Sequence, residues 1–295
     1  MRGSNILKSR MLKLALFGAM TIIAPLPAIS QQAGGVSEPI CTPRPVSAVF
    51  ASVVELLLTP GEAFSIDQLS PNMLQEVGAI MADAEKRRAQ DWADLCHYAE
   101  ENAELLATHQ KPHIVFMGDS ITEYWKPADP GLFRAAKVDR GISGQTTPQM
   151  LLRMYPDVIR LGPRIVHIMA GTNDISGNTG PISDEAIVDN IRAMIVLAKA
   201  NQIKVVLGSI TPSSGFVMRP GLNPADRIAR VNSLLRQLAT EQAVTFVDYH
   251  TPMADGAGGL RGGLANDGLH PNRHGYAVMR PLLEKAIAQA DRRRR

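Results

Sequence analysis

The chain has 295 residues, 45% hydrophobic and 20% charged, with a formal net charge of +3. This is the composition of an ordinary globular protein long enough for one large α/β domain or two small ones. With 5% aromatic residues and no basic face interleaved with them, nothing points to a nucleic-acid partner.

Residues 1–30 have the layout of a secretory signal peptide. Arg2, Lys8, Arg10 and Lys13 form a positive start, Leu14 to Ile23 an apolar run, and Ala28 and Ser30 the small residues of a cleavage site. A membrane anchor would need roughly 20 apolar residues, more than this run supplies. The expectation is therefore a secreted or periplasmic protein with no membrane span after cleavage. No cysteine sits at the cleavage point, so no lipid anchor is indicated. In an oxidising compartment Cys41 and Cys96 can pair; alternatively Cys96 is a small core residue on a helical stripe. Two cysteines with scattered histidines do not make a zinc site, and no metal or cofactor is expected.

Gln31 to Pro45 is rich in Gly, Pro and Ser and reads as a leader. Val46 to Leu58 suits a short helix stopped by Pro60-Gly61. Ser70-Pro71 has the form of a helix start, with an N-cap serine and proline at the first helical position. From Met81 to about Thr108 the pattern is helical throughout, with Trp92, Leu95, Cys96, Ala99, Ala103 and Leu106 on one stripe. Residues 31–110 are thus a leader and helical prefix, followed by a main domain over 111–290 and a basic tail, 291–295.

His113 to Met117 is a short apolar run that suits a buried strand. It ends in Gly118-Asp119-Ser120. Beyond it, strand and helix alternate. Val138 to Arg140 is a weak strand running into Gly141-Ile142-Ser143-Gly144, and a helix follows from Thr147 or Pro148 to Leu161. Arg164 to Ala170 is a strand ending at Gly171-Thr172-Asn173-Asp174. A helix from Ser183 to about Asn201 precedes a strand from Ile203 to Leu207. A long Pro/Gly loop, Thr211 to Pro224, leads to a helix ending near Gln242. Val244 to Val247 is a last strand, and Pro271 to Ala290 a last helix. This alternation implies a parallel sheet with helices on both faces.

In such sheets ligands bind at the carboxyl ends of the strands, where Ser120, Gly144 and Asn173 all fall. A serine nucleophile needs a base within hydrogen-bond reach, and the base needs an acceptor on its other ring nitrogen. Asp267 and His270, three apart across a glycine turn, meet the second requirement locally, with Pro271 starting the helix behind them. The Ser120 amide, the Gly144 amide and the Asn173 side chain are candidate donors for an oxyanion. Asp119 and Asp174 read as turn organisers, His167 as a packed core histidine and His274 as a surface residue. Gly-x-Ser-x-Gly does not occur, which argues against the α/β-hydrolase elbow.

Four stretches together resemble the SGNH (GDSL-type) hydrolase family: Gly118-Asp119-Ser120-Ile121, Gly141 to Thr147, Gly171 to Asp174, and Asp267-Gly268-Leu269-His270-Pro271-Asn272. They occur in family order across about residues 113–288; Ile121 replaces the usual leucine. The resemblance implies a flavodoxin-like three-layer α/β/α sandwich, no metal, and ester hydrolysis by Ser120, Asp267 and His270 with Ser120, Gly144 and Asn173 holding the oxyanion. The Gly144 stretch is most similar to the branch related to platelet-activating-factor acetylhydrolase and lysophospholipase-like esterases, which implies short acyl groups. The expected partner is a small-molecule, lipid or glycan acyl ester. The same residues also suit an O-acyltransferase acting on an envelope glycan, and the fold alone suits a non-catalytic carbohydrate-binding protein. Thr211 to Pro224 and Ala254 to Gly263 are placed to line the cleft, with Phe216, Val217 and Met218 suited either to pack an acyl chain or to serve as loop core.

Overall fold

The computed structural model describes residues 41, 47–134, 136–216, 219 and 221–292. The signal-peptide pattern, most of the leader and the end of the arginine tail lie outside them. The first helix, α1 (Ala48–Leu58), is capped by Ser47, whose side chain accepts from the Phe50 amide. The second, α2 (Pro71–Gln90), starts as its Ser-Pro signal demands, with the Ser70 hydroxyl accepting from Met73 N–H. The expected continuous helix to Thr108 is broken. Asp91 turns its carboxylate onto the amides of Leu95 and Cys96 at 2.8 and 2.9 Å, which competes with the helical ladder. Asp94 takes a left-handed conformation at φ 57°, and helix resumes only at α3 (Ala99–Ala107). The break rotates the stripe: Ala93, Tyr98 and Asn102 are buried, while Trp92 and Leu95 are exposed. Cys96 bonds to Cys41, Cα to Cα 5.1 Å, so the pairing alternative holds.

The main region runs through β1 (Ile114–Gly118), α4 (Ser120–Glu123), α5 (Trp125–Ala128), β2 (Lys137–Gly141), α6 (Thr147–Met154), β3 (Ile165–Met169), α7 (Thr172–Ser176), α8 (Asp184–Ala200), β4 (Lys204–Gly208), α9 (Ala225–Glu241), β5 (Thr245–Val247), α10 (His250–Met253) and α11 (Arg273–Arg292). The helix after α6 continues only as a widened π-turn, Tyr155–Ile159, because Pro156 has no amide hydrogen for the α ladder. The last helix begins at Arg273 rather than Pro271. Pro271 bridges to Ala265, and the Asn272 side chain accepts from the amides of His274 and Gly275.

The five strands are parallel in the order β2-β1-β3-β4-β5, the expected three-layer arrangement. Strand residues alternate between two cores. Val115, Met117, Val166, Ile168, Val205 and Leu207 pack with the apolar stripes of α6, α8 and α9. Ile114, Phe116, Ile165, Val206 and Val247 pack with α11 and Trp125, and with Val54, Leu57 and Leu58 of α1. Burying one such side chain is worth about 1.5–3 kcal/mol, so α1 is part of this core. Sheet order reverses between β1 and β3, opening a crevice at their carboxyl ends. Among the described residues no helix is long and apolar enough to cross a membrane.

Candidate active site

Gly118 closes β1 where no larger residue fits, since a Cβ there would lie 2.0 Å from Thr122 Oγ1. Asp119 then caps α4, accepting the Ile121 amide at 2.9 Å, and Ser120 is the first residue of the helix. Across the crevice, Asp267 accepts the amides of Leu269 (3.0 Å) and His270 (2.8 Å) on Oδ1. Its Oδ2 meets His270 Nδ1 at 2.6 Å. The other ring nitrogen, Nε2, lies 2.9 Å from Ser120 Oγ. Serine, imidazole and carboxylate, 150 residues apart in sequence between Ser120 and His270, form one hydrogen-bonded line. Tyr124 lays its ring against the imidazole, centroids 5.2 Å apart.

Burial disfavours a charged His270 ring, but Asp267 outweighs it, with Asp119 and Glu123 adding to the effect, and the imidazole pKa stands above its ordinary value. For Asp267, too, burial opposes charge, and the His270 ring with two backbone amides prevails, holding the carboxyl below its usual range. Asp119 is pushed up to about 7 by burial.

The candidate oxyanion donors follow three neighbouring strands, Ser120 after β1, Gly144 after β2 and Asn173 after β3. Gly144 adopts φ 80°, a conformation that glycine takes without steric cost. Asn173, in the first turn of α7, donates one Nδ2 hydrogen to the Gln145 carbonyl at 3.1 Å. Asn178, which sequence reasoning missed, donates to both Asn173 Oδ1 (2.9 Å) and the Gly144 carbonyl (3.1 Å), and so fixes which face of the Asn173 amide carries the hydrogens. Asp174, expected to organise its own loop, instead ties that loop to the first turn of α6, accepting from the Thr147 amide and hydroxyl.

Glu123, one turn after Ser120, accepts from the Ser143 amide (2.7 Å) and hydroxyl (2.5 Å). The Gln145 side chain donates to the Ala93 carbonyl at 2.8 Å and accepts from the buried Arg153 at 2.7 Å; Gln149 donates to the Trp92 carbonyl. Ser213 donates to the Gly268 carbonyl at 3.1 Å. Each of these supports was hidden in sequence, because its partner lies on another element. His167 sits in the core, Nε2 3.0 Å from Tyr249 Oη, and burial lowers its pKa to about 3; His274 is exposed. Phe216 packs into the core, Val217 and Met218 lie outside the described residues, and the 254–263 loop packs on Ser214 and Ala225. Among the described residues no group of three or more His, Cys, Asp or Glu side chains is arranged to hold a metal ion.

The profile of the GDSL-like lipase/acylhydrolase family matches residues 116–278, more than half of the chain. The chain belongs to this family. Like its family, this GDSL-like protein is an ester-hydrolysing enzyme. A proposed acylhydrolase from Bacteroides fragilis NCTC 9343 is 42% identical with a TM-score of 0.64, over 68% of this chain and 98% of that one. A GDSL-like lipase from Bacteroides thetaiotaomicron VPI-5482 is 40% identical with a TM-score of 0.63, over 67% and 98%. A Streptococcus pneumoniae protein described as a proposed platelet activating factor shares the fold at 22% identity and a TM-score of 0.60, over 71% and 99%. Comparison with curated proteins gives no match. The GDSL-like region starts within β1, so α1, α2 and α3 precede it, although α1 bonds to Asn266 and the turn after α2 to Gln145 and Gln149.

Proposed function

We propose that this enzyme is an exported serine esterase in which Ser120 is the nucleophile, His270 the general base and acid, and Asp267 the carboxylate that orients the ring. The observation that carries the reading is the line from Ser120 Oγ through the His270 ring to Asp267 Oδ2, at 2.9 and 2.6 Å. Ser120 Oγ attacks the acyl carbonyl while His270 Nε2 takes its proton. Negative charge forms on the carbonyl oxygen, met by the Ser120 and Gly144 amides and the second Asn173 amide hydrogen. The tetrahedral intermediate collapses as His270 returns the proton to the leaving alcohol, and a water activated by the same ring releases the acyl group.

The acid–base role requires a neutral ring at rest. An imidazole pKa held above its ordinary value makes His270 a stronger base once deprotonated, at the cost of activity in mild acid. The short-chain preference rests on the resemblance of the Gly144 stretch, and export rests on the signal-peptide pattern. The Cys41–Cys96 disulfide adds support for export, since such bonds persist in oxidising compartments.

Hydrolysis of p-nitrophenyl acetate, butyrate and octanoate by the mature protein, beside Ser120→Ala, tests the reading. We expect activity that falls with chain length and is lost in the variant. Equal rates in both proteins would remove Ser120 from the mechanism.

A further inference from the structure

The last turn of α2 brings Arg88 to the oxyanion loop. A Cβ built on Gly144 would lie 3.9 Å from Arg88 Nη2 and 3.7 Å from Asn178 Nδ2. Arg88 is exposed, and it makes no ion pair or hydrogen bond among the described residues. Its neighbour Arg87, by contrast, pairs with Asp83. Glu123 is engaged with Ser143, Asp174 with Thr147, and Asp91 with the amides of Leu95 and Cys96, while Glu85, three residues before Arg88 on α2, is exposed and forms no ion pair with it. The acceptors around Gly144 are taken as well. Its carbonyl and Asn173 Oδ1 both receive Asn178, the Gln145 carbonyl receives Asn173, and Asn178 Oδ1 receives the Ser176 hydroxyl. With these acceptors occupied, the Arg88 guanidinium lies beside Gly144 as a fixed positive charge with no partner among the described residues.

We propose that Arg88 forms an anion-recognising subsite beside Gly144, so that preferred substrates are esters carrying a carboxylate, sulfate or phosphate group close to the scissile carbonyl. The proposal rests on the esterase reading above. An oxyanion held roughly 3 Å from the Gly144 amide falls within reach of the guanidinium for a group a few bonds away. A planar guanidinium matches such oxyanions with paired N–H donors. Arg88 precedes the family-matched region, so the subsite is formed jointly by the helical prefix and the Gly144 loop of that region.

The test compares kcat/KM for neutral p-nitrophenyl acetate with two anionic esters, mono-p-nitrophenyl succinate (charge on the acyl side) and 3-acetoxybenzoate (charge on the alcohol side). Wild type, Arg88→Gln, Arg88→Lys and Arg230→Gln are measured, the last removing an equal charge from α9. We expect at least one anionic-to-neutral ratio to fall about fivefold in Arg88→Gln through KM, the size of a solvent-exposed ion pair. Arg88→Lys should retain part of it and Arg230→Gln all of it, and added salt should narrow the difference. Which ester responds identifies the side of the carbonyl that the arginine reads. Ratios equal in wild type and Arg88→Gln for both anionic esters, or a wild type that cleaves only the neutral one, would overturn the subsite and leave the esterase reading standing. Absence of Ser120-dependent cleavage of all three would overturn both.

Discussion

Asn266 donates from its side-chain amide to the Leu56 carbonyl at 2.9 Å, so the residue before Asp267 is tied to the first helix of the chain. The same amide reaches the Thr59 carbonyl at 2.7 Å, the side-chain oxygen accepts from Asn272, and the Asn266 carbonyl receives the Phe64 amide at 2.7 Å. The loop that carries Asp267 and His270 is therefore held from the prefix. Asn266→Ala removes the side-chain bonds from a buried position, which should cost about 1–3 kcal/mol. We expect a lower Tm and a fall in kcat with KM less affected. A variant of reduced Tm with wild-type kcat would show that the loop holds its geometry without α1.

Asp267→Asn should lower kcat by roughly 10³- to 10⁴-fold while the fold persists. Asp267 is the main group raising the His270 pKa against burial. Without it, burial dominates and the pKa drops, so the acid limb of kcat/KM should move to lower pH as the plateau falls. A pH–rate profile checks both; an unmoved limb would mean that Asp267 does not set the imidazole's charge.

Asn173→Ala should reduce kcat by about 100-fold, the cost of one oxyanion donor. Asn178→Ala should reduce it less, because Asn178 holds the Asn173 amide in place while both of its own Nδ2 hydrogens are engaged elsewhere. Steady-state kinetics on p-nitrophenyl acetate reads the difference. If Asn178→Ala were the more damaging, the donor would have to be reassigned.

Asp119 has a folded-state pKa near 7 against about 3.9 in an unfolded chain. The fold therefore binds this proton more tightly. Its contribution is fully present below the unfolded value and is lost as pH rises through 7. Asp119→Asn keeps an acceptor for the Ile121 amide and removes the buried charge. We expect Tm at pH 8 to rise relative to wild type, by up to roughly 4 kcal/mol of stability, and the two proteins to converge near pH 4. Parallel Tm-against-pH curves would show that Asp119 stays charged in the fold.

The Cys41–Cys96 bond closes a span of 55 residues that contains α1 and α2. Loop-closure entropy puts its worth near 4 kcal/mol as an upper figure. Cys96→Ser should lower Tm accordingly, and turnover should fall too, because the adjoining Trp92 and Ala93 carbonyls receive Gln149 and Gln145. Thermal melts with and without reductant provide the check.

The strands, their order of appearance and the pairing of Asp267 with His270 were legible because each depends on short-range signals: apolar runs, turn residues and a three-residue spacing; Ser120, 150 residues from His270, was joined to them only through the family resemblance of the motifs. The break at Asp91 was not, since the 3.6-residue periodicity runs on through a residue whose side chain captures two amides. Nor was the start of α11, where Pro271 mimics a first-turn proline while Asn272 does the capping. Asn178, Glu123 and Asn266 escaped notice for another reason. They are polar residues in turns, unremarkable until the fold sets them against partners up to 210 positions away, as with Asn266 and Leu56.

The attachment of the prefix at both sides of the crevice has a consequence for how this enzyme diverges from its relatives. Exchanging the segment before β1 between two members would alter the setting of the Asp267–His270 loop and the Gly144 loop together, without touching Ser120, His270 or Asp267. Heritable change can thus act on the setting of both loops through residues 48–107, while Ser120, His270 and Asp267 stay constant.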